Sequence, residues 1–362
     1  MLLPAPRGVL TSALLDSLLA GGSAAPGRFD QLTALGESVV AATEDLLRDD
    51  DIQLALFCLY ELHYSGLDGV DPALEWEPEL IRLRLVLESA FEATLRNVVP
   101  APEAPEPDAE AVAQILFGLA AEDDGPSVSR FVARHATVDQ LREFLILRSV
   151  YQLREADPHS WAIPRLPVGR AKAALVEIQA DEYGGGRPER MHSKLFARTM
   201  EGLGLDTRYG CYLDRIPALV LASSNAMSLF GLNRRLRGSI AGHLAAFEMT
   251  SSIPNSFYAK GFRRAGFDSD VTFYFDEHVE ADAVHEQIAA RDLAGGLAEA
   301  EPDLLPDILF GASTVLTLDA LQGEFQLAAW KQGKSALRDA GPDQHPAAAA
   351  LAADAAAAGV SP

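Results

Sequence analysis

Two histidines and an aspartate share one short stretch of the chain. In "FYFDEHVEADAVHEQIAARD", residues 273–292, His278, Asp282 and His285 follow one another at spacings of four and three. At about 100° per residue these spacings return to one helical face, so the side chains project one above another. Imidazole and carboxylate converging on one spot suit a first-row transition metal such as iron, manganese or zinc. The plain alternative is a solvated acidic face, because Asp276, Glu277, Glu280 and Glu286 lie in the same stretch.

Other segments supply further donors. Glu248 stands in "HLAAFEMTSS", among small and apolar residues. A carboxylate is rarely buried there unless it is paired or coordinating. Its ordinary role would be an ion pair with an arginine such as Arg237. Glu182 closes "VEIQADEY", and His192 follows ten residues later in "RMHSKLF". Glu155, in "LREADPHSW", is either a further ligand or a surface charge at a helix end. His159, after Pro158, is read as a surface loop residue or one standing behind the ligands. Three histidines and three or four carboxylates from separate helices fit a carboxylate-bridged dinuclear iron site inside a bundle. Two divalent ions bring four positive charges that these carboxylates roughly cancel. A lone zinc needs fewer ligands and would leave some acids buried and unpaired.

The elements that must carry these residues are helices. "PELIRLRLVLESAFEATLRNV", "RAKAALVEIQADEY" and "RLRGSIAGHLAAFEMTSS" all show apolar spacings of three and four, rich in Ala, Leu, Glu and Arg. "TVDQLREFLILRSVYQLREA" opens on a capping box, Thr137 with Gln140, and is expected to run to Asp157-Pro158. Gly184, Gly185 and Gly186 should end the helix before them. Residues 1–98 read as an N-terminal helical region and the Pro- and acid-rich 99–110 as a linker. Residues 111–335 form the main helical domain, and 336–362 an Ala-rich flexible tail.

Bulk properties narrow the function. A chain of 362 residues with a net charge of −22 can bury a large core and makes a poor nucleic-acid ligand. Cys58 and Cys211 make neither a disulfide framework nor a Cys-x-x-Cys site, which suits a reducing cytoplasm. The first residues read as a short amphipathic helix and not a signal peptide. No membrane span is expected.

With these motifs the chain resembles the heme-oxygenase-like diiron oxidases and oxygenases, also called iron-containing redox enzymes. The resemblance covers roughly residues 135–330 and rests on "EADPHSWAIPRLPVGRAKAALVEIQADEYGGG", "MHSKLFARTM", "GHLAAFEMTSS" and "EHVEADAVHEQ". The family's His-x-x-x-Asp-x-x-His signature matches His278, Asp282 and His285. Its preceding glutamate matches Glu248, its earlier Glu and His match Glu182 and His192, and an additional upstream glutamate falls nearest Glu155. The resemblance implies an all-α, heme-oxygenase-like bundle holding two iron ions and using O2 as co-substrate. It is closest to members that oxidise the amine nitrogen of small, amino-acid-like metabolites in natural-product pathways. An external electron donor and a homodimer formed through the N-terminal region fit the same picture. Oxidative C–C cleavage or decarboxylation of an amino or fatty acid is the alternative chemistry. A metal- or ligand-binding protein without turnover is the alternative class.

Overall fold

The computed structural model describes residues 1–20, 29–121, 125 and 127–339. The side chains at 30 and 280–283 lie outside the described set, as do residues 340–362, most of the expected flexible tail. Among the described residues every regular element is helical.

Among the described residues the N-terminal region contributes four α-helices. α1 (Val9–Leu19) buries Leu10, Leu14, Leu15 and Leu18, one apolar stripe. α2 (Asp30–Ala42) lies against α4 (Pro78–Val98). α4 starts on a proline, whose missing N–H costs nothing at a first helical position, and it buries Leu80, Leu83, Leu87, Phe91 and Leu95. α3 (Asp50–Glu61) is capped by Asp49, which accepts from the Ile52 N–H at 2.8 Å. Ile52 to Glu61 are all buried, because α3 packs between α1 and a later helix.

α5 (Ala109–Ala121), α6 (Val128–Arg134), α7 (Val138–Gln152) and the short α8 (Asp157–Ser160) follow. α9 (Arg170–Glu182), α10 (His192–Gly202), α11 (Ala218–Leu232), α12 (Arg237–Met249), α13 (Ser252–Arg264) and α14 (Ser269–Gln287) come next. α15 (Gly296–Ala300) and α16 (Leu305–Lys331) end the bundle. The expected capping box opens α7: the Gln140 N–H donates to Thr137 Oγ1 at 3.2 Å, and the Thr137 N–H donates to Gln140 Oε1 at 3.0 Å.

Two boundaries differ from expectation. α7 stops at Gln152 and not at Asp157-Pro158. Ala156 then takes a left-handed conformation at φ 78°, and Pro158 occupies the first turn of α8. A non-glycine residue held at positive φ is strained and needs its surroundings to fix it. The helix carrying His278 and His285 also continues directly into π-helical turns over Ile288–Gly295. Such turns are rare and gather at functional sites. The glycine run does end α9: Gly184, Gly185 and Gly186 take φ of 76°, 59° and 78°, which side-chain-bearing residues rarely adopt.

The N-terminal helices share the core with the rest of the chain. The Arg154 guanidinium pairs with Glu61 of α3, and the Tyr209 hydroxyl donates to the same carboxylate at 2.7 Å. Asn225 of α11 donates its amide to Gln53 Oε1 at 2.8 Å. α12 and α16 cross so closely that Gly242 sits on the Ile308 backbone and Gly311 on that of Ser239. One helical span, Pro302–Lys331, is long and apolar enough to cross a membrane, an apolarity the sequence reading did not credit. Its most apolar window is 61% buried in this core, chiefly against α12.

Candidate metal centre

Four helices and one turn bring the donors together. Glu155 comes from the turn between α7 and α8, Glu182 is the last residue of α9, and His192 is the first of α10. Glu248 lies near the end of α12, while His278 and His285 stand two turns apart on α14. Glu155, Glu182, His192 and His278 form one group whose ligand atoms all lie within 4.8 Å of one another. Glu182, Glu248 and His285 form a second group at the same spacing. Glu182 belongs to both. All six side chains are buried, the most exposed of them Glu182 at 7%.

Buried glutamates need a compensating charge. The described ion pairs of Glu155, Glu182 and Glu248 involve histidines only. Arg237, the ordinary partner suggested for Glu248, pairs instead with Glu301. Two other buried glutamates, Glu61 and Glu88, are matched by arginines, Arg154 and Arg84. That leaves three carboxylates facing imidazoles.

The imidazoles are oriented from behind. Because a carbonyl only accepts, His278 Nδ1–H donates to the Tyr274 oxygen at 2.7 Å. This leaves Nε2 directed at the cluster, 3.7 Å from Glu155 Oε1. His285 Nε2–H donates to Asp181 Oδ2 at 3.1 Å, leaving Nδ1 on the side of Glu248, 3.6 Å away. Such partners fix the tautomer and raise ligand basicity at metal sites. The Tyr274 hydroxyl donates to both Glu155 oxygens, at 2.8 and 3.1 Å, and so holds that carboxylate in place.

Two atoms test whether a metal fits. His192 Nδ1 and His285 Nδ1 are buried without a hydrogen bond, although Glu182 and Glu248 oxygens stand 3.0 and 3.6 Å from them. The atoms are near but misaligned for a proton between them. A cation bound by both partners accounts for that geometry, and the mixed imidazole–carboxylate set suits iron, manganese or zinc. Without a cation, protons take its place. Burial disfavours charge on His285, but Glu248 and Asp181 override it and raise its pKa to about 9. Burial raises the Glu182 carboxyl, yet His192, then His278 and His285, pull it down to about 2. Metal binding therefore has to release protons from this cluster.

Asp282 occupies its expected turn of α14, between the two histidines, but its side chain lies outside the described residues. His159 does not lie on the surface. It is buried, with Nε2 3.1 Å from His243 Nδ1 on α12. Burial pushes the His159 pKa down to about 4 and that of His243 well below its usual value.

Two spaces adjoin the cluster. A void of about 10 Å³, room for about one water, touches Tyr151, Glu155, His159, Glu182 and Glu248. A cavity of about 740 Å³ is lined by Tyr151, Glu155 and His278 of the cluster's surroundings and also by residues of α13 and α16. That volume is in the range of small-molecule sites. Asp181, Tyr151 and Tyr274 were not identified from sequence. Asp181 is masked by its neighbour Glu182, and Tyr151 and Tyr274 sit in apolar helical patterns that read as core.

Residues 142–320 match the family described as iron-containing redox enzymes. A second similarity is to the nitrosourea synthase of Streptomyces achromogenes subsp. streptozoticus, 29% identical over 175 residues. The aligned part makes up 47% of this chain and 37% of that relative, so the chain spans well under half of the relative's length.

Proposed function

Residues 142–320 belong to the iron-containing redox enzyme family, of heme-oxygenase-like all-α fold, and from that premise we propose a dinuclear, O2-dependent oxygenase. Its substrate in this reading is the amine nitrogen of a small, amino-acid-like metabolite, in a natural-product pathway. One observation carries the dinuclear part: Glu182 is common to two separate donor groups, as a bridging carboxylate between two ions must be. Glu155, His192 and His278 would complete one ion's shell, and Glu248 and His285 the other's, with Asp282 adding a donor by its place on α14. The relative's name supports oxidation at nitrogen, since a nitrosourea carries a nitrogen–oxygen bond.

Two ferrous ions held there would supply the electrons and open positions that activate O2. The protein's own part is narrower. Asp181 and the Tyr274 carbonyl aim His285 and His278 inward. Tyr274 steadies Glu155. Tyr151 and Phe247 line both the small void beside the cluster and the large cavity. An external electron donor and a homodimer belong to the same reading. So does a cytoplasmic location, which suits two free, buried thiols, Cys58 and Cys211.

The test is O2 consumption by protein loaded with ferrous iron under anaerobic conditions, against a panel of amines and amino acids, with products read by mass spectrometry. The expected result is amine-dependent O2 uptake and a product heavier by oxygen from labelled O2. Products that have lost carbon while nitrogen stays unoxidised would replace this reading with oxidative cleavage. No uptake with any member would favour a binding protein.

A further inference from the structure

The large cavity has a charged residue that the metal cluster does not use. Arg148 lies on α7, seven residues before Glu155, and both line the cavity. Its guanidinium sits over the rings of Phe144, at 4.7 Å, and Tyr258, at 5.2 Å. Those two rings are themselves 4.5 Å apart. Stacking on aromatic faces fixes a guanidinium plane and leaves its edge available. The edge has five N–H donors. Among the described residues the one hydrogen bond it makes is to the Tyr258 hydroxyl, at 3.0 Å. No Arg148 nitrogen is among the buried, unpartnered polar atoms, so the remaining donors face the open cavity. Asp319, on α16, lines the same cavity, near enough to Arg148 to raise its pKa.

We propose that Arg148 is the carboxylate anchor of this cavity, and that the ligand is an α-amino acid lying between Arg148 and the His278–Glu155 wall with its α-ammonium group toward Asp319. The inference rests on the proposed function for what happens at the cluster end, but not for binding. Three features carry it. A guanidinium packed against two rings presents the planar fork that matches a carboxylate with two parallel hydrogen bonds. A helix rises about 1.5 Å per residue, so Arg148 stands roughly 6 Å along the axis from Gln152 at the end of α7, and Glu155 lies in the turn beyond it. An amino acid with a side chain several atoms long spans such a gap with its carboxylate at one end and its side-chain terminus at the other. The wall between is polar as well as apolar, with Gln152, Asn255 and Gln326 on it, which suits an amino acid better than a long hydrocarbon chain.

The experiment measures binding and needs neither metal nor turnover. The protein as purified is titrated by calorimetry with the twenty L-amino acids, L-ornithine, straight-chain fatty acids and the corresponding amines. The best amino acid is then compared with its primary amide and its decarboxylated amine. The expected result is that the acid binds at least about tenfold more tightly than either counterpart, as loss of a bidentate charge-assisted pair requires. Arg148→Gln should remove that preference, and Arg148→Lys should restore part of it. Asp319→Asn should weaken amino acids while leaving plain carboxylates unchanged. Should Arg148→Gln fail to fold, the acid-against-amide comparison on the unaltered protein and the Lys variant decide alone. Equal binding of acid and amide, tightest binding of a fatty acid, or no binder in the panel would overturn the proposal. A carboxylate-dependent binder that provokes no O2 uptake would keep this inference and remove the oxygenase reading.

Discussion

Gly242 lets packing be weighed against helix propensity at one position. It lies inside α12, six residues before Glu248, where α12 crosses α16. A Cβ added there would come 2.6 Å from the Ile308 carbonyl carbon and 3.0 Å from its Cα, with the carbonyl oxygen closer still. Ordinary contact begins near 3.4 Å, so α12 and α16 would have to part by about 1.6 Å along their closest line, which runs to that oxygen. Backbone cannot rotate away as a side chain does. Opening that crossing strips contact from a close-packed core, and overpacking of this kind costs typically 1–3 kcal/mol, occasionally more. Propensity pulls the other way: Gly to Ala inside a helix gains up to about 1 kcal/mol. Packing should win, and Gly242→Ala should lower stability by about 1–3 kcal/mol in urea unfolding. Gly118 is the control. It lies inside α5 with nothing within 4 Å of a new Cβ, so Gly118→Ala should be neutral or stabilising by up to about 1 kcal/mol. The displaced α12 also carries Glu248, so Gly242→Ala should weaken iron binding and Gly118→Ala should not. A Gly242→Ala protein as stable as the parent would refute the crossing as described.

Glu61→Ala should leave the Arg154 guanidinium buried and unpaired, at a cost of about 3–5 kcal/mol read by urea unfolding; an effect under about 1 kcal/mol would contradict the buried pair. Asp181→Ala removes the acceptor behind His285 and should weaken ferrous iron binding by about 10–100-fold with the far-UV helical signal intact; unchanged affinity would mean His285 is oriented otherwise. His159 and His243 are buried with depressed pKa values, so each resists protonation when folded and accepts it readily when unfolded. Their contribution to stability is therefore complete above their unfolded pKa, near 6.5, and is lost as pH falls below it, for His159 down to about 4. Metal-free protein should lose on the order of 2 kcal/mol per buried histidine between pH 7 and pH 5, and His159→Asn should lose less over the same interval.

Much of the site was readable because its chemistry has a period. His278 and His285 share a face because four and three residues close on one side of a helix, and that geometry needs no tertiary information. Glu248 stood out because an acid in a run of small apolar residues needs a reason to be there. Glu155 could not be assigned from sequence, since α7 ends six residues before Pro158 and the strained Ala156 redirects the chain into α8. No local pattern announces a left-handed alanine. The partners behind the ligands were hidden for a different reason. Asp181 and Tyr274 act through atoms that touch residues about a hundred positions away. The His159–His243 pair joins two elements in the same long-range manner. Apolar periodicity located the helices of the bundle but could not say that α3 lies inside the main core. That follows from paired polar groups, Glu61 with Arg154 and Gln53 with Asn225, whose complementarity appears only in three dimensions.

The central claim is that one buried cluster holds two metal ions through a shared Glu182. Anaerobic equilibrium dialysis against ferrous iron, with the metal content read per chain, measures this directly. The account predicts saturation near two ions for the parent protein. Glu248→Ala and His285→Ala should each retain one, because the group of Glu155, Glu182, His192 and His278 stays whole in both. Saturation at a single ion in the parent, or two ions kept by either variant with unchanged affinity, would contradict it.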